Sequence, residues 1–329
     1  MLKLFRKKAL EAKTVIERCE GRRGFFASKD KYRYQYWTRD LAFSFDALMN
    51  LGYKNKVKEQ LQLIFSKQKR DGEVPSAINP ASFVRYQTYH SWTVDSNILA
   101  VIMLLQFMEK TGDEIVELGK VEKLIQFIQG HQDKKTGLVR GADWRDDLHI
   151  YKNKFLFSNQ VLLKRMYQII GSSKQERQIE KSIENIFWNE KLRYYQDFPE
   201  SNHFDSFGHS LGILYDIIPK KRFGSMLDMF TVSSSLFGLR NVHPVYKNVN
   251  QREFTYQNSS IWPFVHSNFV LTLKKMGEKE LAEKQFLILT MLNGFNEWYY
   301  PFGGLPKGSK HQLWSAATYL QASKELQMI

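Results

Sequence analysis

The sequence predicts an all-α fold in which about twelve helices pair as hairpins and form a ring. Twelve segments place apolar residues at positions i, i+3, i+4 and i+7, the spacing that buries one stripe of a helix. Few segments show the alternation of a β-strand. Short and long connections also alternate, which suits helical hairpins with their long loops gathered at one end. An α-solenoid is the alternative fold.

Local signals support the ends of these helices. The predicted helices span residues 5–18, 41–51, 55–67, 96–111, 118–130, 158–170, 174–187, 207–217, 221–230, 261–276, 279–291 and 312–327. Gly52, Gly112 and Gly277 each follow an apolar stretch, where a left-handed glycine commonly ends a helix. Asp95 and Asp205 stand where N-cap residues belong, because a short carboxylate accepts the first free backbone N–H groups.

The long connections carry many aromatic, glycine and proline residues. They span residues 71–93, 137–157, 189–204, 241–260 and 293–311, and loops of this kind usually carry function. The chain has no low-complexity linker and no evident internal repeat. We therefore expect a single domain over residues 1–329.

The composition excludes several classes of protein. Of the 329 residues, 43% are hydrophobic and 25% are charged, which is ordinary for a globular protein and unlike a disordered chain. The longest apolar run spans residues 98–105, so we expect no transmembrane helix. The first residues mix charged and apolar positions, so we expect no signal peptide and a cytoplasmic location. Cys19 is the only cysteine, which excludes an intramolecular disulfide.

Two properties depart from the average. The net charge is +14, and 14% of the residues are aromatic. Such a chain suits nucleic acid, since cations neutralise phosphates and rings stack on bases, but rings also stack on sugars. The eight histidines form no closely spaced pair with a carboxylate, and no glycine-rich phosphate loop is present. We therefore expect no metal and no cofactor.

Acidic and aromatic residues concentrate in four clusters of the chain. The clusters span residues 34–40, 93–96, 141–147 and 296–301, and three of them place a carboxylate close to a tryptophan. Ring faces bind the C–H surface of sugars, and two carboxyls that flank a glycosidic bond hydrolyse it. A structural role is the alternative for single residues, with Asp95 and Asp205 as caps and Arg39 and Asp40 as an ion pair.

In order along the chain, these segments resemble the six-hairpin glycosidases, which fold as an (α/α)6 barrel. This group includes the glucosidase domain of glycogen debranching enzymes and the alkaline/neutral invertases. The matching segments lie at residues 24–28, 36–40, 94–96, 143–146, 204–208, 256–263, 296–298 and 312–316. The resemblance spans about residues 8–326. It implies an inverting hydrolase with an aspartic general acid and a late glutamate as general base.

The resemblance also assigns the catalytic pair. Glu297, within Asn-Glu-Trp, matches the general base that deprotonates the attacking water. The general acid is assigned to Asp146, since residues 144–146 resemble the Trp-x-Asp acid of debranching enzymes. Asp143 is the alternative acid, since residues 141–143 resemble the Gly-x-Asp acid of trehalases.

Further matching positions imply the residues that bind the sugar. They are Trp37, Arg39, Asp40, Asp95, Trp144, Arg145, Trp262 and Trp298. Of these, Arg39, Asp40 and Asp95 match positions that hold the sugar in the minus-one subsite. The four tryptophans match the walls of that subsite.

Departures from the family pattern narrow the substrate. Residues 256–259 read Tyr-Gln-Asn-Ser where the family usually has Tyr-His-Asn-Gly, and Asn97 and Ile98 replace the double tryptophan of invertases. We expect an inverting, exo-acting α-glucosidase that takes a small α-glucoside or oligosaccharide, with no nucleic acid partner. The alternatives are a sugar-binding barrel without catalysis, a sucrose-cleaving invertase-like enzyme, and a basic helical protein that binds nucleic acid.

Overall fold

The all-α prediction is confirmed by the structure, a computed structural model that describes residues 2–79 and 93–328. These residues form twelve α-helices. The helices are α1 (Leu2–Cys19), α2 (Thr38–Asn50), α3 (Lys54–Ser66), α4 (Val94–Thr111), α5 (Leu118–Gly130), α6 (Phe157–Ile170), α7 (Ser173–Phe187), α8 (Ser206–Leu214), α9 (Phe223–Ser233), α10 (Pro263–Met276), α11 (Lys279–Met291) and α12 (Leu313–Glu325). Each predicted helix has a counterpart among them.

The even-numbered helices form an inner ring. Each of α2, α4, α6, α8 and α10 contacts the next even-numbered helix, and α12 contacts α2, which closes the ring. The odd-numbered helices lie outside, and each packs against an even-numbered neighbour. This arrangement is an (α/α)6 barrel. The alternative, an α-solenoid, is wrong because a solenoid contacts only successive repeats and does not close.

Burial explains which helices lie inside the ring. Every residue of α8 from Ser206 to Ile213 is buried, whereas α5 buries only Val121, Leu124 and Ile128. A helix with small or apolar residues on all sides fits between neighbours, while a helix with one apolar stripe fits on the outside. The sequence patterns of α8 and α5 thus match their layers in the barrel.

The long connections lead from outer to inner helices, so they gather at the end of the barrel where the inner helices begin. Within the described residues they contain six two-stranded antiparallel ribbons. The strand pairs are β1 (Glu20–Gly21) with β2 (Gly24–Phe25), β3 (Tyr36–Trp37) with β4 (Ala77–Ile78), β5 (Trp188–Asn189) with β6 (Tyr194–Tyr195), β7 (Phe204–Asp205) with β10 (Val242–His243), β8 (Ser234–Ser235) with β9 (Gly238–Leu239), and β11 (Trp298–Tyr299) with β12 (Pro306–Lys307).

Several predicted helix ends are confirmed. Asp205 caps α8, because its carboxylate accepts a hydrogen bond from the Phe207 backbone N–H at 3.0 Å. Gly52, Gly112 and Gly277 follow α2, α4 and α10 with φ angles of +87°, +73° and +92°. Glycine adopts this left-handed conformation without the steric penalty of a side chain, which ends each helix cleanly.

The prediction that Asp95 is an N-cap is wrong. Helix α4 begins at Val94 and its N-cap is Thr93, so Asp95 lies inside the first turn. The Asp95 carboxylate accepts a hydrogen bond from the Ser96 backbone N–H at 2.6 Å. This side chain is therefore placed by the first turn of α4 and not by the residue that precedes the helix.

Helix α2 begins three residues before its predicted start, at Thr38. The Thr38 backbone N–H donates to the Ser76 carbonyl at 2.9 Å, and its hydroxyl donates to the Pro75 carbonyl at 2.7 Å. These bonds join distant parts of the chain, so apolar periodicity does not reveal them. As a result, Arg39 and Asp40 lie in the first turn of an inner helix.

One large apolar cluster runs through the barrel and contains buried residues from all twelve of the described helices. A smaller cluster around Tyr151 and Tyr246 is formed by residues of two long connections, α5–α6 and α9–α10. Residues 80–92, part of the predicted connection 71–93, lie outside the described residues. In the described ranges, none of the helices combines the length and the hydropathy that a membrane crossing requires.

A buried lysine fixes the first helix to the last hairpin. Lys8 Nζ donates to the carbonyls of Leu292 at 2.8 Å and Gly294 at 3.1 Å, just after the end of α11. It also pairs with Glu11 at 3.1 Å and lies 4.6 Å from the ring centre of Phe295. Helix ends leave carbonyl groups unpaired, and a cation placed there satisfies them.

We expect Lys8→Met to lower the free energy of unfolding by about 1–3 kcal/mol, because the Leu292 carbonyl loses its donor and the Gly294 carbonyl keeps only the Tyr299 hydroxyl. Lys7→Met is the matched control, since Lys7 lies on the same helix and is exposed. Urea unfolding of both variants measures the difference. Equal stabilities for the two variants would contradict the role given to Lys8.

Candidate active site

A cavity of about 200 Å³ opens at the end of the barrel where the inner helices begin. The residues that line it are Ala27, Tyr32, Trp37, Arg39, Asp40, Trp144, Asp146, Asp147, Tyr256, Gln257, Trp262, Glu297, Gln312 and Trp314. Pockets for drug-sized ligands usually measure about 300–1,000 Å³. The size of this cavity therefore suits a ligand with one small ring.

Asp146 reaches the cavity from the connection between α5 and α6. The turn that carries it is closed by Asp143 Oδ1, which accepts a hydrogen bond from the Arg145 backbone N–H at 2.8 Å. Asp146 Oδ2 accepts from Arg39 Nη2 at 2.6 Å, whereas Oδ1 accepts a longer bond of 3.4 Å from Gln257 Nε2. One carboxyl oxygen is held tightly and the other weakly, which leaves the second able to bond to a ligand.

Arg39, in the first turn of α2, links three segments around the cavity. Besides its bond to Asp146, its Nη1 donates to the Asp143 carbonyl at 3.3 Å and lies 3.5 Å from Asp95 Oδ1. Burial opposes the charge of this guanidinium, but Asp146 and Asp95 outweigh the burial and raise the pKa of Arg39. The cation therefore stays charged and holds the three segments together.

Glu297 enters the cavity from the connection between α11 and α12. Its backbone N–H donates to the Ser309 carbonyl at 2.8 Å, immediately before strand β11. The donors to its carboxylate are the hydroxyls of Tyr32 at 2.8 Å and Tyr256 at 3.4 Å, Lys31 Nζ at 3.3 Å and the Ser309 backbone N–H at 3.0 Å. Hydrogen bonds to an ionised carboxylate are stronger than neutral ones, so these donors fix the side chain.

The two tyrosines beside Glu297 remain hydrogen-bond donors at neutral pH. Burial raises the pKa of Tyr32 and of Tyr256, and the charge of Glu297 adds to both shifts. A phenol in such a place keeps its proton because the phenolate would be both desolvated and repelled. Both hydroxyls therefore continue to donate to Glu297.

Asp40 and Asp95 are two further buried carboxyls beside Arg39. Burial raises the pKa of each to about 7, although Arg39 opposes the shift. Asp40 lines the cavity, and its Oδ1 accepts a hydrogen bond from Gln312 Nε2 at 2.9 Å. Among the described residues, no three His, Cys, Asp or Glu side chains are grouped so that they could hold a metal ion.

Three tryptophans form the floor of the cavity. Trp144 meets Trp262 edge to face with 5.0 Å between ring centroids, and Trp314 meets Trp262 in the same way at 5.9 Å. Phe264 supports them from below by stacking on Trp314 at 4.1 Å. Such packing holds large apolar ring surfaces in place at the bottom of a polar cavity.

The cavity brings together seven of the eleven residues that the sequence singled out. These are Trp37, Arg39, Asp40, Trp144, Asp146, Trp262 and Glu297. Asp95 contacts Arg39 and does not itself line the cavity. Trp298 packs at 6.3 Å from the Tyr256 ring, also outside the lining.

Asp143 and Arg145 bond to each other and lie outside the cavity lining. Arg145 Nη2 donates to Asp143 Oδ2 at 2.7 Å, and Ser158 Oγ donates to the same oxygen at 2.6 Å. Both side chains are fully buried. The structure thus places Asp146 in the cavity lining and Asp143 outside it. In the chain, Trp144 and Arg145 lie between the two aspartates.

Several lining residues were not predicted from the sequence. They are Ala27, Tyr32, Asp147, Tyr256, Gln257, Gln312 and Trp314. Five of them, at positions 27, 256, 257, 312 and 314, lie within segments that carry the family resemblance, so the sequence did hold a signal for these five. Tyr32 lies in none of those segments, and only the fold brings it to Glu297.

Some buried polar atoms of the cavity lining have no hydrogen-bond partner. Within the described residues these atoms are Arg39 Nε, Trp144 Nε1, Trp314 Nε1 and Gln312 Oε1. A buried polar atom that stays unpaired costs about 1–3 kcal/mol. The cavity therefore suits a ligand that brings hydroxyl groups.

We expect Asp40→Asn to change how stability depends on pH. Because the pKa of Asp40 is raised from its ordinary 3.8 to about 7 in the folded protein, the folded state binds a proton that the unfolded state releases. This stabilisation is present below about pH 4 and is lost as the pH rises to about 7. The stability of the variant minus that of the wild type should therefore increase over this range, by at most about 1.4 kcal/mol per pH unit.

Urea unfolding of both proteins between pH 4 and pH 8 measures this difference. Asparagine keeps the oxygen that accepts from Gln312, so the variant isolates the effect of the titration. A stability difference that stays constant with pH would contradict the raised pKa of Asp40.

Comparison with known proteins bears on the fold. No family model and no curated protein matches the chain. Among solved structures, GH63 mannosylglycerate hydrolase from Thermus thermophilus in complex with glucose is similar, with a TM-score of 0.76 and 16% identity over 95% of this chain and 98% of that chain. A glycosidase variant in complex with glucose gives a TM-score of 0.73 with 12% identity over 100% and 98% of the two chains.

The wild-type form of a glycosidase gives the same TM-score of 0.73 with 11% identity, over 100% of this chain and 98% of that chain. Chains this distant in sequence share a fold without necessarily sharing an activity. The likeness extends over nearly the whole length of each pair of chains. The chain therefore has the (α/α)6-barrel fold of the six-hairpin glycosidases.

Proposed function

We propose that this protein is an inverting, exo-acting glycoside hydrolase that releases one glucose unit from a small α-glucoside or oligosaccharide. The observation that carries the proposal is that Asp146 and Glu297 line the same small cavity above a floor of tryptophan rings. Two carboxyls that flank a glycosidic bond are the usual machinery of its hydrolysis. Two of the similar structures hold glucose, which supports a glucose unit as the ligand.

In this proposal Glu297 is the general base. Its neighbours Tyr32, Tyr256 and Lys31 donate hydrogen bonds to the carboxylate, which suits a group that must begin the reaction ionised. Glu297 takes a proton from a water molecule as that water attacks the anomeric carbon. Attack on the face opposite to the leaving group inverts the configuration.

Asp146 is the general acid that protonates the leaving oxygen. Its Oδ2 is bound to Arg39, which leaves Oδ1 for the substrate. Asp143 is less suited to this role, because Arg145 and Ser158 occupy both of its oxygens. The different partners of the two aspartates support Asp146, and not Asp143, as the acid.

The charge and size of the cavity support a neutral, single sugar unit. Asp40, Asp146, Asp147 and Glu297 line the cavity, and Arg39 is the one cation among its described lining residues. The Arg39 guanidinium is already paired with Asp146 and Asp95, so this lining is poorly suited to bind a phosphate. A cavity of about 200 Å³ holds the terminal unit of a glycoside, which gives exo-acting cleavage.

The remaining lining residues supply binding contacts in this proposal. Trp37, Trp144 and Trp262 offer ring faces to the sugar, and Arg39 and Asp40 offer hydrogen bonds to its hydroxyls. Asp95, Arg145 and Trp298 lie outside the lining and act through their neighbours.

We expect Glu297→Gln and Asp146→Asn each to lower the turnover of an α-glucoside by ~10²-fold or more, since general acid or base catalysis contributes about that much. Proton NMR of reactions with maltose, isomaltose, trehalose and sucrose follows the anomeric signals as products form. The wild type should release β-glucose first. Binding of glucose, measured by calorimetry, should change little in Glu297→Gln.

Different results separate the alternatives. α-Glucose as the first product would contradict inversion, and unchanged turnover in either variant would remove that carboxyl from the catalytic pair. Binding of glucose by the wild type without hydrolysis of any glycoside would favour a barrel that binds sugars without catalysis.

A glycine close to Glu297 provides a second prediction. Gly308 has a φ of +70°, and a Cβ at this position would lie 2.7 Å from the Glu297 Cβ and closer still to its Oε2. We expect Gly308→Ala to displace the carboxylate and lower turnover ~10-fold or more, since a misplacement of about 1 Å can cost ~10²-fold.

Gly303→Ala is the matched control for this variant. Gly303 lies in the same connection with a φ of +91°, but a Cβ there meets nothing within 4 Å. Both variants therefore carry similar backbone strain, and only Gly308→Ala crowds Glu297. Equal turnover in the two variants would contradict the proposal that Glu297 is held in place for catalysis.

A further inference from the structure

Arg145 lies in a buried cluster with three carboxylates beside the cavity floor. Its Nη2 contacts Asp143 at 2.7 Å, Asp197 at 2.8 Å and Asp205 at 3.2 Å. Its Nη1 donates a further bond to Asp197 at 2.9 Å. All four residues are buried at no more than 1% exposure, so none of them reaches solvent.

Each carboxylate ties the cluster to a different part of the barrel. Asp143 accepts from Ser158 Oγ in α6 at 2.6 Å, and Asp205 caps α8 through the Phe207 backbone N–H. The guanidinium is thereby fixed relative to two neighbouring inner helices. These anchors are rigid elements of the fold and not mobile surface loops.

Asp197 adds two tyrosines to this cluster. Its Oδ2 accepts hydrogen bonds from the hydroxyls of Tyr151 at 2.7 Å and Tyr246 at 2.5 Å. Arg145 also lies over the Tyr151 ring, with 4.5 Å from the guanidinium carbon to the ring centre. Arg145 therefore joins the α5–α6 and α7–α8 connections directly, and Asp197 adds the α9–α10 connection through Tyr246.

Folding stability alone does not account for this cluster. One guanidinium faces three carboxyls, and burial raises the pKa of Asp205 to about 7 despite the opposing charge of Arg145. Buried ion pairs can often be replaced by apolar residues without loss of stability. The polar network is better explained by the residues that it holds in position.

We infer that Arg145 is a positioning residue for Asp146, an inference that rests on the proposed function. Arg145 lies between Trp144 and Asp146 in the chain, so anchoring its side chain fixes the residues on both sides. Its carbonyl also accepts from the Leu148 backbone N–H at 3.1 Å, which closes the turn after Asp146. The cluster sets the position from which Asp146 reaches the leaving oxygen, while Arg145 itself stays away from the sugar.

The test compares two substrates with different leaving groups in Arg145→Lys. Lysine keeps the charge but cannot form the forked bonds to Asp143 and Asp197. A sugar or alkyl leaving group needs a proton from the general acid, whereas fluoride is a weak base and leaves without one. We expect kcat/KM for the oligosaccharide to fall ~10²-fold, and kcat/KM for the corresponding glycosyl fluoride to change only a few-fold.

Arg222→Lys is the matched control. Arg222 is also largely buried, pairs with Glu184 at 2.6 Å and stacks over the Trp188 ring at 3.6 Å, but it does not line the cavity. It should lose some stability, with no change in the ratio of the two kcat/KM values. The comparison separates a general loss of packing from a specific effect on the acid.

Tyr246→Phe is a milder variant that removes one hydrogen bond to Asp197 and keeps the ring. It should shift the ratio in the same direction by several-fold, so the test stands even where Arg145→Lys fails to fold. An equal loss on both substrates, or an unchanged ratio in Tyr246→Phe, would overturn the positioning role while leaving the proposed function intact. A wild type that cleaves neither substrate would overturn the proposed function and this inference with it.

Discussion

The rest of the structure depends on aromatic rings that close the axis of the barrel. Phe264 of α10 stacks on Trp314 of α12 at 4.1 Å and on Phe43 of α2 at 5.6 Å, and Trp144 meets Phe264 edge-on at 4.9 Å. Trp144 and Trp314 line the candidate active-site cavity, whereas Phe43 lines a second cavity of about 220 Å³. Because the rings come from inner helices and one connection, their packing fixes the helix positions and the depth of the candidate cavity together.

Two arginines locate Asp146 above this aromatic layer. Arg39 binds the Asp146 carboxylate directly at 2.6 Å from the first turn of α2. Arg145 acts through the backbone, because its side chain is anchored to buried carboxylates on the other side of the turn. Glu297 is held differently, by neutral and cationic donors from other connections. The helices therefore position the loops, and the loops position the two carboxyls, which allows the chemistry of the cavity to vary without changing the barrel.

The parts of this fold that rest on local signals could be predicted from the sequence. Helix α5 was predicted at both of its ends, Leu118 and Gly130, because apolar spacing and breakers lie within the segment itself. The start of α2 was missed because Thr38 bonds to a distant connection, and two-residue strands are too short to show alternation. The motif also could not separate Asp143 from Asp146, since both flank the same Trp-Arg pair. The fold separates them. It brings Arg145 and Ser158 to the Asp143 carboxylate, and it places Asp146 in the lining of the cavity.

The net charge of the whole chain and the charge of the residues that line the cavity have different signs. Although the net charge of the protein is +14, the described residues that line the cavity include four acidic residues and one arginine. Exposed lysines act over only about 10 Å at 0.1 M salt, whereas charges buried in the cavity are screened far less. A polyanion attracted to the outer surface would find the Arg39 guanidinium of the cavity already paired with Asp146 and Asp95, whereas a neutral sugar needs no free cation. The surplus of aromatic residues, and not the surplus of cations, is therefore the compositional feature that bears on the site, because tryptophan rings form its floor.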